Sequence, residues 1–167
     1  MDRGDDVTSI QVDGFLADSV VTSDGKLYVQ GAGWNRISAT TFPVVHDRIG
    51  IGLLFRFEVA RVSEPHRFEL RLEDSSGNEM PLGDAPPGPQ SPGKITRIAG
   101  EFGAGPVTGG VEQIVPIAVN LNGMAFEGPN AFRFVVSVDG VDMKALPFRV
   151  EQFAPQRPQV TGGGGYL

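Results

Sequence analysis

Hydrophobic and polar residues alternate with a period of two along most of this chain. In His66–Asp74, Phe68, Leu70 and Leu72 face one way, while Arg67, Glu69, Arg71 and Glu73 face the other. That is the signature of a strand with one face on a core and one in water. Phe132, Phe134, Val136 and Val138 line one side of residues 131–139, and Phe148 and Val150 alternate with Arg149 and Glu151. Leu53, Phe55, Phe57 and Val59 repeat the pattern in residues 49–59, as do Val115, Ile117, Val119 and Leu121 in residues 112–121. No stretch carries the i, i+3, i+4, i+7 stripe of an amphipathic helix. Phe55, Phe57, Phe68, Leu70, Phe132, Phe134 and Phe148 are therefore assigned to the core.

Turn chemistry falls between these runs. Asp24-Gly25 and Asp139-Gly140 suit tight hairpins, where glycine accepts positive φ. Ser75-Ser76-Gly77-Asn78 predicts a longer turn and Asn122-Gly123 a fourth. Strands and turns at this spacing predict an all-β fold, an immunoglobulin-like antiparallel β-sandwich of about seven to nine strands. Residues 81–93 hold five prolines and three glycines, a density no sheet interior accepts. Residues 81–110 are read as a long Pro/Gly-rich crossover loop with a short edge strand within 94–101. The predicted organisation is a disordered N-terminus at 1–9, a sandwich domain at 10–153 carrying the 81–110 insertion, and a flexible tail at 154–167.

Residues 15–37, FLADSVVTSDGKLYVQGAGWNRI, resemble the opening of a bacterial family of small all-β proteins of unknown function. The likeness continues through Phe42-Pro43, FELRLEDSSG at 68–77, VNLNGMAF at 119–126 and residues 132–150. The resemblance implies an immunoglobulin-like or related sandwich and no activity, and it does not reach the tail.

Composition removes several kinds of chemistry. There is no cysteine, which excludes disulfides, thiolate catalysis and cysteine-bound zinc. The net charge is −6 and the basic residues are scattered. Nucleic acid and anionic membranes are accordingly not expected as partners. The acidic N-terminus lacks the apolar stretch of a signal peptide, no apolar run reaches a membrane span, and a cytoplasmic protein is expected. Arg3-Gly4-Asp5 is read as a chance tripeptide.

No nucleophile elbow or phosphate loop is present. Gly31-Ala32-Gly33 is read as a strand-end bulge beside Trp34, a core residue. The two histidines, His46 and His66, stand apart in sequence. Catalysis would need one of them beside a serine and a carboxylate. Asp13, Asp18, Asp24, Asp74, Asp84, Asp139 and Asp142 are read as turn formers, with neither metal nor cofactor expected.

By elimination the functional candidate is the C-terminus: Gly162, Gly163, Gly164, Gly165, Tyr166 and Leu167. The glycines give reach, and Tyr166 and Leu167 offer anchors to a partner pocket or sheet edge. The expected function is a non-enzymatic cytoplasmic protein-interaction module with a flexible recognition tail. Two alternatives stay open: a ubiquitin-like modifier or conjugation substrate processed after Gly165, and an enzyme using 81–110 as a lid. Pro116 and Pro147 are read as guards of strand edges, and homo-oligomerisation through an edge is left open.

Overall fold

The protein is described from a computed structural model, which covers residues 10–57, 65–90, 93–103 and 112–154. The described chain is all-β, 72% strand and without a helix. Its strands are β1 (Ile10–Ala17), β2 (Ser19–Ser23), β3 (Lys26–Gln30), β4 (Arg36–Ala39), β5 (Val44–Phe57), β6 (His66–Asp74), β7 (Glu79–Met80), β8 (Gly83–Asp84), β9 (Lys94–Ile95), β10 (Arg97–Phe102), β11 (Gln113–Phe126), β12 (Asn130–Val138) and β13 (Val141–Gln152). A three-stranded sheet has the order β1-β5-β11. A six-stranded sheet has the order β10-β6-β12-β13-β4, with β7 added beside β6. Two short hairpins, β2-β3 and β8-β9, complete a curled, half-barrel arrangement.

One hydrophobic core lies between the two larger sheets. β5 sends Ile49, Ile51, Leu53, Phe55 and Phe57 into it, all nearly or fully buried. The six-stranded sheet answers with Phe68, Leu70, Leu72, Phe134, Val136, Phe148 and Val150. Two aromatic groups close its ends. Phe55, Phe57, Phe68 and Phe102 meet at one, with the Phe55 and Phe102 ring centroids 4.2 Å apart. Phe126, Phe132, Phe134 and Phe148 meet at the other. Each fully buried Phe contributes about 1.5–3 kcal/mol relative to an exposed one.

The boundaries of β6 match the alternating pattern, and β12 matches it to within a residue. Asp24-Gly25 turns β2 into β3, and Asp139-Gly140 turns β12 into β13. All four residues have positive φ, from 49° to 83°, as tight hairpins of this type require. Gly77, at φ 82°, closes the turn between β6 and β7.

Several expectations need correction. The described residues hold thirteen strands rather than seven to nine, because β7 forms just before the expected 81–110 loop and β8 and β9 form within it beside its edge strand. Within that interval β10 is the predicted edge strand, paired with β6. Pairing is not antiparallel throughout, since β13 runs parallel to β4 from Arg149↔Arg36 to Gln152↔Ala39. Asn122-Gly123 is no turn. Gly123, at φ 66°, bends β11 in mid-strand, and the core-facing residues change from odd (half-buried Val119, buried Leu121) to even (buried Met124, Phe126) across it. His46 lies in β5 rather than in a connection. The predicted N-terminal segment 1–9 and the tail beyond 154 lie outside the described residues.

Candidate functional site: the free edge of β11

β11 is a fourteen-residue strand paired along its length with β5, from Gln113↔Phe57 to Phe126↔Val44. It stands last in its sheet, so among the described residues the other side of its backbone from 114 onward has no ladder partner. Its sequence, QIVPIAVNLNGMAF, contains no charged residue. The other edges of the two main sheets all carry charge. β1 has Asp13, β4 has Arg36, β10 has Arg97 and Glu101, and the part of β13 beyond the reach of β4 has Asp142 and Lys144. Charges and prolines on an edge discourage a foreign strand from pairing there. β11 keeps only Pro116 and the Gly123 bend.

The core is incompletely sealed along this strand. Val115, Ile117 and Val119 pack against it yet are only half-buried, unlike Leu53, Phe55 and Ile51 beside them on β5. Ile114, on the opposite face, is 46% exposed. Among the described residues β8 comes near this strand without pairing with it, and a strand laid beside β11 would meet the half-buried row Val115, Ile117 and Val119.

The outer face of this sheet is covered by the β2-β3 hairpin. Close approach is possible because β5 carries Gly50 and Gly52. A Cβ on Gly50 would lie 3.1 Å from the Ser19 backbone, and one on Gly52 would lie 3.0 Å from Leu27 of β3 and 2.4 Å from the Phe15 ring of β1. Asn120 of β11 fastens the hairpin: its Oδ1 accepts the Val20 N–H at 3.1 Å and its Nδ2 donates to the Val20 carbonyl at 2.7 Å. Val20 is 1% exposed as a result. Above it, Val21 and Tyr28 form an exposed cross-strand pair.

The outer face of the six-stranded sheet is a mixed-charge lattice. Arg71 donates to Glu73 at 2.8 Å and makes a two-pronged contact with Asp142 at 2.8 and 2.7 Å. Arg133 reaches the other Glu73 oxygen at 2.8 Å, and Arg97 joins Glu69 and Glu79. Hydrogen bonds from Arg71 and then Arg133 hold the Glu73 carboxyl below its ordinary range. The Arg71 contact does the same for Asp142, and the Arg97 contact for Glu79. A shallow depression of about 290 Å³ lies here between Arg133, Val135, Asp142, Met143, Lys144 and Ala145. Its arginine and aspartate are already paired within the lattice, which leaves no converging set of free polar groups for a small ligand.

His66 is the other place where catalytic residue types meet. Its Nδ1 is 2.7 Å from Asp139 Oδ2, and Asp139 Oδ1 accepts the Arg67 N–H at 3.0 Å. The His66 ring packs against Phe57 and Phe102. Burial pushes the Asp139 carboxyl up, but the Arg67 N–H and the His66 ring outweigh it and leave it lowered. The enzyme alternative requires a serine in this set. Among the described residues the side chains bonded to His66 and Asp139 include none, and the pair ties the β12-β13 turn to the start of β6.

The remaining sequence candidates are dispersed. Asp13 pairs with Arg56, Asp74 with its own turn, Asp84 with Lys94 and Asp142 with Arg71. Among the described residues no three His, Asp or Glu side chains are grouped to hold a metal. Gly31 and Gly33 have positive φ, and a Cβ on Gly31 would collide with the Asp18 carboxylate. Trp34 lies in the segment joining β3 and β4, edge-on to Phe148 and His46. Its indole Nε1 is buried with no acceptor among the described residues. Gly162, Gly163, Gly164, Gly165, Tyr166 and Leu167 lie outside the described residues. No described helix is long and apolar enough to cross a membrane. The edge of β11 escaped sequence reasoning, although its signal, fourteen consecutive residues without charge, stands in the sequence.

A model of a family of unknown function (DUF6941) matches residues 13–151. No curated protein matches the chain. Among solved structures it is similar to the Pseudomonas fluorescens alkylpurine DNA glycosylase AlkC bound to DNA containing an abasic site analog, at 11% identity and a TM-score of 0.42. That match covers 86% of this chain and 30% of the glycosylase, so the chain spans less than a third of that protein's length. The exclusion of nucleic acid as a partner is thereby corrected. It rested on a net charge of −6, a sum over the whole chain that says nothing of a local face, and the protein matched is one bound to DNA. A likeness at this TM-score carries no argument for DNA binding by this chain either.

Proposed function

The chain belongs to this family of unknown function (DUF6941), and we propose that it acts as a non-enzymatic, cytoplasmic protein-interaction module whose contact surface is the free edge of β11. The observation that carries the reading is the uncharged run of β11 beside the half-buried row Val115, Ile117 and Val119. Recognition is by strand addition: main-chain hydrogen bonds supply affinity, and alternate side chains filling the open row supply selectivity. An immunoglobulin-like arrangement of the two layers is part of the same proposal.

The tail at 162–167 is a separate contact in this reading, and the two are told apart by position. A photo-crosslinking residue is placed at Ile114 in one variant and at Tyr166 in another, in the native host. The proposal expects protein adducts from position 114, mapping to an extended segment of the captured chain. Adducts from position 166 alone would transfer the function to the tail, and silence at position 114 refutes the edge reading. Intact mass from the same host tests processing, because cleavage after Gly165 removes Tyr166 and Leu167.

A further inference from the structure

We infer that the strand added to β11 is β11 of a second copy, giving a two-fold symmetric dimer with a continuous six-stranded sheet, β1-β5-β11-β11-β5-β1. This rests on the edge reading above and names its occupant. The argument begins with charge. An edge without a charged side chain offers no complementarity to a charged partner strand and no repulsion to an uncharged one. Among the edges of the two main sheets, only β11 itself has that character.

Geometry adds a second reason. Two identical strands paired antiparallel about a two-fold axis meet residue by residue, so one patch completes itself. The uncharged run 114–122, without a second ladder partner among the described residues, is centred on Ala118. In the register centred there, Ile117 of one copy lies opposite Val119 of the other, and Val115 opposite Leu121. Ile117 and Val119, half-covered in a single copy, thus become each other's cover, and half-covered Val115 meets the already buried Leu121, on the core side of one sheet. Pro116 falls opposite Asn120 and has no N–H to give, so each of these two pairs forms at most one ladder hydrogen bond. The ends of the run, Ile114 and Asn122, face each other across the axis.

Those ends supply the test. Within one copy Ile114 stands opposite Arg56 and Asn122 opposite Arg48. Glutamate at 122 keeps the contact that Asn122 Oδ1 already accepts from Arg48, and glutamate at 114 joins Asp13 and Glu112 around Arg56. In the dimer the double variant Ile114→Glu/Asn122→Glu sets two glutamates against each other at both ends, an arrangement that destabilises a pair of strands. Sedimentation of the full chain from about 1 to about 200 µM follows the mass. The wild type is expected to double in mass across that range. Added salt should tighten association by screening the net charge of −6 on each copy. The double variant should stay monomeric with an unchanged melting temperature. A wild type that remains monomeric overturns the inference, as does a double variant that dimerises like the wild type. The two readings fail separately: a monomeric wild type that still yields crosslinks from position 114 to another protein removes the second copy and leaves the edge, whereas silence in both experiments removes both.

Discussion

Replacing Asn120 by Ala should release the β2-β3 hairpin from the sheet it covers. The side-chain amide makes two hydrogen bonds with the backbone of Val20, at 3.1 and 2.7 Å, in a partly buried setting. Each is worth about 0.5–1.5 kcal/mol net, so their joint loss costs about 1–3 kcal/mol. A ceiling follows from the alternative response. If the hairpin lifts, water satisfies the Val20 N–H and carbonyl, and the loss becomes the burial of the Val20 side chain, about 1.5–3 kcal/mol. Both routes give a central value of about 2 kcal/mol, which lowers the melting temperature of a domain this size by roughly 4–8 °C. The assay is urea unfolding with the slope compared between variants, since an unchanged slope assigns the difference to the native contacts. Asn120→Asp is the informative control. It keeps the acceptor for the Val20 N–H but points a carboxylate at the Val20 carbonyl, so it should be at least as destabilising at neutral pH. A cost below about 0.5 kcal/mol for Asn120→Ala would refute the reasoning. The hairpin would then be held by its contacts at Gly50 and Gly52 alone.

Two further outcomes follow from the same structure. Gly52→Ala places a Cβ 2.4 Å from the Phe15 ring and 3.0 Å from Leu27, so it should cost about 1–3 kcal/mol. Adding Phe15→Leu should recover part of that loss, and additive losses in the double mutant would contradict the contact. Acid should destabilise the fold, because the carboxyls of Glu73, Glu79, Asp74, Asp139 and Asp142 are all held below their ordinary values. Their stabilisation is complete above the unfolded values of 3.8 for Asp and 4.5 for Glu, and is lost as pH falls from there through the lower folded values. Urea midpoints at descending pH should therefore drop mainly below about pH 4.5, and a midpoint that rises on acidification would refute the sign.

Much of the fold was legible because its physics is local. β6 alternates because one side meets the core and the other the charged lattice of Arg71, Glu73 and Arg133, and β12 puts Phe132, Phe134, Val136 and Val138 on its core side although Val135 and Ser137 opposite them are buried too. Asp24-Gly25 and Asp139-Gly140 declared their hairpins because the positive φ those turns require selects such residues. What escaped was non-local. Asn122-Gly123 has hairpin chemistry, but both flanking halves already pair with one long partner, β5, so the dipeptide bends a strand instead of ending it. The parallel pairing of β4 with β13 joins residues more than a hundred positions apart, and no short-range pattern carries that information. β11 showed its buried face in the alternation of Val115, Ile117 and Val119. Its place at an edge depends on which strands β5 accepts, and the sequence does not write that down. The Gly-rich tail stands out by its composition and lies outside the described residues, whereas β11 reads in the sequence as ordinary core.

The central claim is that the outward side of β11 is a place for another strand. Backbone amide exchange along residues 114–122 measures this most directly. The amides that point away from β5 should exchange as fast as solvent-exposed groups in dilute protein. They should become protected as association proceeds, with no such gain in Ile114→Glu/Asn122→Glu. Protection of the same amides in dilute, monomeric protein would show the edge already covered by its own chain, and an edge that stays unprotected at every concentration and with every captured partner would contradict the account outright.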